Sequence, residues 1–491
     1  MSTDLETPMG TTRAELADGM YVDGRLVPVT GTRTYQHVNP ATGRVQKEFG
    51  LASTADAETA MRSSATAFQS WKRVAPAERS AVLHRIAATL REQTETLAEI
   101  NALEVGTPLN FGRWAVADAA AWFDYYAGWT DKITGDTIPV PQEEGLDFTV
   151  YEPVGVVVKV LTWNTPIGGI SMSVAAALAA GCTVVLKPAE QAPFAAVEFA
   201  RICTAAGVPD GVVNVVVGDR EAGDYLVRHP GVGKVSFTGG TATGSALQAA
   251  AAENVTPLVL ELGGKSAHLV FADADLASAT AFNTVVTALS GQGCSLPTRL
   301  LVERSVFAEV LEQMVALLGT VSVGDPFAAD VQMGPVLNEA ALERILTLVA
   351  DARAAGATCA LGGERLGGEL AEGFYVGPTV LVDVEPGSDI AQREVFGPVL
   401  SVFAFDTEEE AIELANSTRF GLAAYVHTSD LSRALRLARE LEAGGVGING
   451  KMLPATYAAP FGGIGASGYG REGGRAGIEE FLRIKNVAIK F

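Results

Sequence analysis

The chain has 491 residues, 48% of them hydrophobic, which is too long for one core and apolar enough to fill two or three. Its formal net charge of −21 opposes binding to nucleic acid or to an acidic membrane surface and leaves a small molecule as the expected partner. Four cysteines, Cys182, Cys203, Cys294 and Cys359, form no C-x-x-C pair and no metal-ligand cluster, as expected of free thiols in the cytoplasm.

The first ten residues, MSTDLETPMG, lack the basic and apolar regions of a signal peptide. Alternation from Tyr21 to Val29 around Asp23–Gly24 predicts a β-hairpin. Apolar residues at helical spacing from Thr54 to about Asn101, interrupted at Pro76, predict amphipathic surface helices. The stretch WAVADAAAWFDYYAGW from Trp114 to Trp129 reads as core, as an oligomer contact or as the lining of a binding channel. Asp136–Glu152 and Asn486–Phe491 read as strands with no obvious sheet in either half of the chain, which makes them candidates to pair with another subunit.

From residue 154 short β-branched runs (Val154–Leu161, Thr183–Leu186, Val212–Val217, Lys234–Phe237, Leu258–Leu262) alternate with Ala-rich helical stretches. Gly168 to Leu186 is uncharged and approaches the roughly 20 residues of a membrane span, but Gly181 divides it into a helix and a strand. Nearly continuous apolar strands with crossover helices predict a parallel sheet covered on both faces, with its ligand crevice at the carboxyl ends of the strands. The polar residues at those ends are Asn164, Lys187, Glu190, Gly239, Gly240 and Glu261. A second α/β unit is expected from about Ser266 to Gly450, with strands at Arg299–Val302, Val399–Phe405 and Gly445–Ile448.

Cys294 lies in SGQGCSLPT, where glycines and Pro297 stop a helix on both sides. A free cysteine is ordinarily a small buried hydrophobe, and Cys182, Cys203 and Cys359 read that way because each sits in a strand or helix pattern. On its turn Cys294 can present a thiol to a crevice. Glu261 ends an apolar strand just before Gly263–Gly264. A carboxylate there is often satisfied by turn amides, but beside a thiol nucleophile it suits covalent catalysis followed by hydrolysis.

The series LTWNTP, VVLKPAE, SFTGG, LELGGK, SGQGC, REVFGPV and PFGGIGASGYGREGG resembles, in order, the motifs of the NAD(P)-dependent aldehyde dehydrogenase superfamily, over essentially the whole chain after about residue 20. The resemblance implies two doubly wound parallel-sheet α/β domains and a β oligomerisation arm. These correspond to an NAD-binding domain at 1–135 and 154–262, a catalytic domain at 263–450, and an arm at 136–153 and 451–491. It further implies a homodimer or homotetramer. By the same resemblance Cys294 is the nucleophile that attacks the aldehyde carbon, and Asn164 with the Cys294 backbone N–H holds the oxyanion. Glu261 activates water for thioester hydrolysis after hydride has passed to the nicotinamide. Lys187 and Glu190 bind the adenosine ribose, and a carboxylate at Glu190 favours NAD over NADP, with NADP still possible. Glu394 contacts the nicotinamide ribose and Phe396 packs near the ring. Leu161, Thr162, Trp163, Gly218, Gly239, Gly240 and Leu262 complete the cofactor contacts. Glu472 matches a carboxylate used in proton relay by some members, or is structural.

The chain departs from the pattern at Gly240, where serine is common; at Thr162, where proline is frequent; at Gly465, where lysine is frequent; and in the SLPT flank of Cys294. An apolar tunnel shaped by Phe111, Trp114, Trp122, Met452–Tyr457 and that flank favours aliphatic or aromatic aldehydes. Three rivals remain. A cofactor-free cysteine hydrolase would need a histidine, and only His268 lies near a motif. An acylating enzyme that passes the thioester to coenzyme A would not need Glu261. An inactive binding protein would not need Cys294, Glu261 and Asn164 together.

Overall fold

The computed structural model describes residues 14–141 and 144–491, so the reading of the first ten residues falls outside it. The predicted hairpin forms: Met20–Val22 pairs antiparallel with Arg25–Val27 across a turn in which Asp23 and Gly24 both have positive φ. The predicted helical stretch is three helices, α1 (Thr54–Trp71), α2 (Pro76–Glu92) and α3 (Thr94–Val105). Ser53 caps α1 through a capping box with Asp56, and Pro76 opens α2 at the position where its missing N–H costs nothing. The aromatic stretch is one helix, α4 (Leu109–Ala127), with Trp122, Phe123 and Tyr126 buried and Trp114 59% exposed.

The uncharged run divides as its glycine predicts. It becomes α5 (Pro166–Ala180), ended by Gly181 at φ +95°, and the strand Thr183–Lys187. Helix α5 is buried on nearly every side, which explains its lack of a polar face without a membrane. Among the described residues no helix is long and apolar enough to cross a membrane.

Five of the predicted strands form the body of an eight-stranded sheet. Val213–Val215, Thr183–Lys187, Val156–Val160, Val232–Thr238 and Leu258–Glu261 run parallel in that spatial order. Helices α5, α6 (Phe194–Ala205), α7 (Arg220–Arg228) and α8 (Thr241–Ala251) make the crossovers. Register sets Glu261 beside Thr238 and Lys187 beside Val160, so the polar strand ends fall along one edge. A seven-stranded sheet forms from the second unit, in the order Thr358–Leu361, Thr379–Val382, Val399–Phe405, Arg299–Glu303, Ala267–Val270, Ala423–His427, Gly445–Ile448. All its pairings but the first are parallel.

The two orphan strands find their partner in each other. Leu482–Lys490 pairs antiparallel with Gly145–Pro153 along its full length, and Thr137–Ile138 completes a three-stranded ribbon. Neither strand needs a second subunit to satisfy that ladder. Ile484 and Ile489, which alternate to opposite faces of the ribbon, are exposed, at 62% and 44%.

Candidate functional site

A cavity of about 560 Å³ opens where the carboxyl edge of the eight-stranded sheet meets the second unit. It gathers Thr162, Trp163, Asn164, Gly239, Gly240, Glu261 and Leu262 on one side and Cys294, Glu394 and Phe396 on the other. Four predicted residues do not line it. Leu161 is buried behind it, donating its N–H to Lys187 O over 2.9 Å. Lys187 and Glu190 sit at the neighbouring strand end as an ion pair 3.5 Å apart. Gly218 faces Ala222, whose Cβ would stand 2.6 Å from a Cβ added to the glycine.

The segment before Cys294 is contorted. A 3₁₀ run, Thr284–Gly291, ends with Leu289, Ser290 and Gly291 at φ 51°, 56° and 75°. Gly291 tolerates both that conformation and contact with the Gly397 main chain, which a Cβ would approach to 2.0 Å. Gln292 then pins the chain. Its Oε1 accepts from Leu337 N (2.9 Å), its Nε2 donates to Leu289 O (3.0 Å), and its carbonyl accepts from Asn164 Nδ2 (2.7 Å). Beyond the cysteine, Tyr425 donates its hydroxyl to Ser295 O over 2.9 Å. Gly264 lets the Cys294 carbonyl come within 2.3 Å of where a Cβ would be, so the LELGG and SGQGC motifs lie against each other.

Burial pushes the Cys294 thiol up to about 12, with the Glu394 and Glu261 carboxylates adding to the rise and the N–H groups of Cys294 and Ser295 opposing it. Cys294 is only partly buried by solvent access, unlike Cys182 and Cys203, which are enclosed. A thiol so placed needs a change of charge at the site before it ionises near neutrality.

Both carboxylate oxygens of Glu261 are buried without a hydrogen-bond partner. Burial holds its carboxyl well above the usual range, Glu472 reinforces this, and Lys159 and Arg471 oppose it. A carboxyl of raised affinity and open lone pairs at a cavity wall is equipped to accept a proton from water. Glu472 lies behind it, bound to Lys159 Nζ at 3.1 Å, and the same ammonium donates to Ser236 Oγ and Thr238 Oγ1. Glu394 is also raised by burial, while it accepts from Gly264 N at 3.0 Å and lies near Lys265 and Arg344.

The remaining wall suits an anionic, ring-bearing ligand. Helix α8 starts at Gly240 without a side-chain cap, leaving its first amides free, and Trp163 meets Phe396 edge to face with centroids 5.3 Å apart. Lys187 is buried, and burial lowers its pKa against the opposing charges of Glu190 and Asp219. Arg344, on the helix Glu339–Ala354, Arg393, just after the short helix Asp389–Gln392, and the neighbours Arg419 and Phe420 also line the cavity; none lies at a predicted strand end, and nothing in the sequence pointed to them. No group of three or more metal-ligating side chains occurs among the described residues.

The predicted tunnel residues divide. Trp122 is core, whereas Trp114 and Phe111 form an outward aromatic pair, 5.1 Å between centroids. Between them on α4, Asp118 accepts from Tyr457 OH (3.0 Å) and Trp122 Nε1 (3.2 Å), and burial raises its carboxyl.

A family model described as aldehyde dehydrogenase family matches residues 27–487. An aldehyde dehydrogenase of Aspergillus niger is 38% identical, covering 98% of this chain and 97% of that protein. The peroxisomal aminoaldehyde dehydrogenase 1 of Pisum sativum is 37% identical over 95% of each chain. Among solved structures, betaine aldehyde dehydrogenase from Staphylococcus aureus in complex with NAD+ superimposes with a TM-score of 0.94 at 36% identity, covering 97% of this chain and 95% of that one.

Proposed function

The chain belongs to the aldehyde dehydrogenase family, and from that premise we propose that it oxidises an aldehyde to the carboxylic acid with NAD+, using Cys294 as nucleophile, Asn164 as oxyanion donor and Glu261 as the base for hydrolysis. The observation that carries this reading is that these three side chains, from three separate segments, line one cavity whose opposite end is a bare helix N-terminus.

The residues fit a dinucleotide. The free amides of α8 and the open space at Gly240 suit a pyrophosphate, and 560 Å³ lies within the range of ligand pockets. Glu190 beside Lys187 suits ribose hydroxyls and disfavours a 2′-phosphate, so NAD+ is preferred over NADP+. Bound there, the nicotinamide supplies the hydride acceptor and a positive charge. That charge opposes the burial and the neighbouring carboxylates that together hold the Cys294 thiol protonated.

The Cys294 thiolate attacks the aldehyde carbon. One N–H of Asn164 is held by Gln292 O, which leaves the second to stabilise the oxyanion together with the Cys294 N–H. Loss of hydride leaves a thioester on Cys294. Glu261 then takes a proton from water, and the resulting hydroxide releases the acid and restores the thiol. Lys159 and Glu472 set the charge around Glu261 from behind. Residues 14–135 and 154–262 make the dinucleotide domain, 263–450 the domain carrying the thiol, and the ribbon of 145–153 with 482–490 the arm; within 451–481, Gly468–Tyr469 pairs with Leu260–Glu261 and Ile464–Gly465 with Phe420–Gly421. The exposed isoleucines of that arm, Ile484 and Ile489, support a homo-oligomer.

For the substrate we infer an aldehyde with a cationic group at its far end. Asp118 is a partly buried carboxylate between Trp122 and Tyr457 that forms no ion pair among the described residues. Its helix packs on α5, which Asn164 precedes, and two relatives at 37% and 38% identity carry aminoaldehyde in their names. Simple aliphatic and aromatic aldehydes are the second reading, supported by the outward pair Phe111–Trp114. An aldehyde panel with amino, trimethylammonium and uncharged members, scored for NADH and NADPH, tests the whole reading. No reduced nicotinamide with any aldehyde, but ester hydrolysis instead, would leave the cysteine-hydrolase alternative.

A further inference from the structure

On the cavity wall formed by the second unit, Arg419 stands close to the start of α8. Thr241, the first residue of that helix, donates its hydroxyl to Ala466 O over 2.9 Å, and Ala466 N donates to Arg419 O over 3.0 Å. The Arg419 main chain is thus two hydrogen bonds from the helix mouth. On its other side Phe420 pairs with Gly465, where a Cβ would lie 3.0 Å from Arg419 O, so the missing side chain lets the strands close here. The guanidinium rests over the Phe420 ring, 5.3 Å from its centroid, and both residues line the cavity with Gly240 and Thr241.

The charges on this wall are unequal in their commitments. Arg393 is paired with Asp389 at 3.0 Å, and Arg344 donates to Val395 O and lies near Glu394. Arg419 has no carboxylate partner among the described residues. Across the same space, α8 begins at Gly240 with no side-chain cap, and no heavy atom lies within 4 Å of the Cβ that Gly240 lacks. An uncommitted guanidinium and a set of free helix amides bordering one cavity are complementary to a single anion between them.

We propose that Arg419 is a cofactor-binding residue whose guanidinium holds the pyrophosphate of the dinucleotide against the N-terminus of α8, supplying the contact that a hydroxyl at position 240 would otherwise make. This rests on the dinucleotide reading above. The planar fork can place two N–H groups on one phosphate, which an ammonium cannot.

The test is equilibrium binding by calorimetry, without substrate, of NAD+, ADP-ribose and adenosine to the wild type, R419A and R419K. R419A is expected to weaken NAD+ and ADP-ribose by the same factor, about tenfold or more, as for a lost charge-assisted bond. R419K should fall between, and adenosine, which lacks phosphate, should bind all three proteins alike, reporting that the site is folded. The salt dependence of NAD+ binding should also become shallower in R419A. Unchanged ADP-ribose affinity in R419A overturns the proposal, as does an equal loss for adenosine. A wild type that binds none of the three overturns the dinucleotide reading itself, and this proposal with it.

Discussion

Asn164 donates its side-chain amide to the carbonyl of Gln292 over 2.7 Å, two residues before Cys294. The bond ties the end of a strand in one sheet to the thiol-bearing segment of the other unit. It also holds the amide in place and leaves its second N–H uncommitted.

Asn164→Ala is therefore expected to lower kcat/KM for aldehyde by 10²–10³, about 2.7–4 kcal/mol of transition-state stabilisation, with NAD+ affinity nearly unchanged. Steady-state kinetics beside equilibrium NAD+ binding decide it. A loss confined to NAD+ binding would assign Asn164 to the cofactor instead.

Replacing Cys294 with Ala should abolish aldehyde oxidation and leave NAD+ binding intact. In Glu261→Gln the chemistry before hydrolysis should survive, so rapid mixing should still show a burst of NADH of about one per site, followed by a slow steady state. If the burst disappears with the steady rate, Glu261 acts before the thioester forms.

The Cys294 thiol, held up to about 12 in the absence of cofactor, should alkylate slowly at pH 8, where on the order of one part in ten thousand is thiolate. The rate with iodoacetamide should climb through pH 9 and 10 without a plateau. Glu394→Gln, which removes a neighbouring negative charge, should move the profile to lower pH, and so should NAD+. A plateau near pH 7 in the cofactor-free wild type would contradict the burial seen here.

Asp118→Asn should reduce the preference for a cationic aldehyde over its uncharged isostere by about tenfold, mostly through KM, because a charge contact made equally in ground and transition state is lost. Equal effects on both aldehydes would leave Asp118 as a packing residue for Tyr457.

Glu104 is fully buried and caps α6, accepting from the N–H groups of Phe194 and Ala195. Burial raises its carboxyl to about 8. A group raised on folding contributes stability that is fully present below the unfolded value near 4.5 and is lost as pH rises through 8. Between these values the slope approaches about 1.4 kcal/mol per pH unit. The wild type should thus lose more stability than Glu104→Gln between pH 5 and pH 8.5 in denaturant titrations. Parallel losses would mean that Glu104 does not titrate in that range.

Much of this was legible in the residues. The strand ends at Asn164, Gly239, Gly240 and Glu261 follow from βαβ periodicity, because an apolar run of fixed length must stop where the sheet stops. Gly291, Gly293 and Pro297 forecast a broken helix at Cys294, and the chain breaks there. Arg344, Arg393 and Arg419 were illegible because nothing local says which face of a second unit, its helix Glu339–Ala354 included, will close over the first sheet. Trp122 was ambiguous for a related reason: an aromatic residue on an amphipathic helix suits core or channel equally until its neighbours are known.

The sequence by itself determined the elements and the parallel sheets and put forward a thiol, a carboxylate and an amide as candidates, since these depend on short-range pattern and on the chemistry each residue type can perform. Tertiary structure decided how those groups meet. It set Gln292 as the clamp between Asn164 and Cys294, left the Glu261 oxygens unpartnered, enclosed Asp118 in aromatic neighbours, and joined the two orphan strands to each other. Each of these is a contact between segments far apart in the chain, fixed only when two separate sheets pack and the polar groups at their edges must find partners or remain without them.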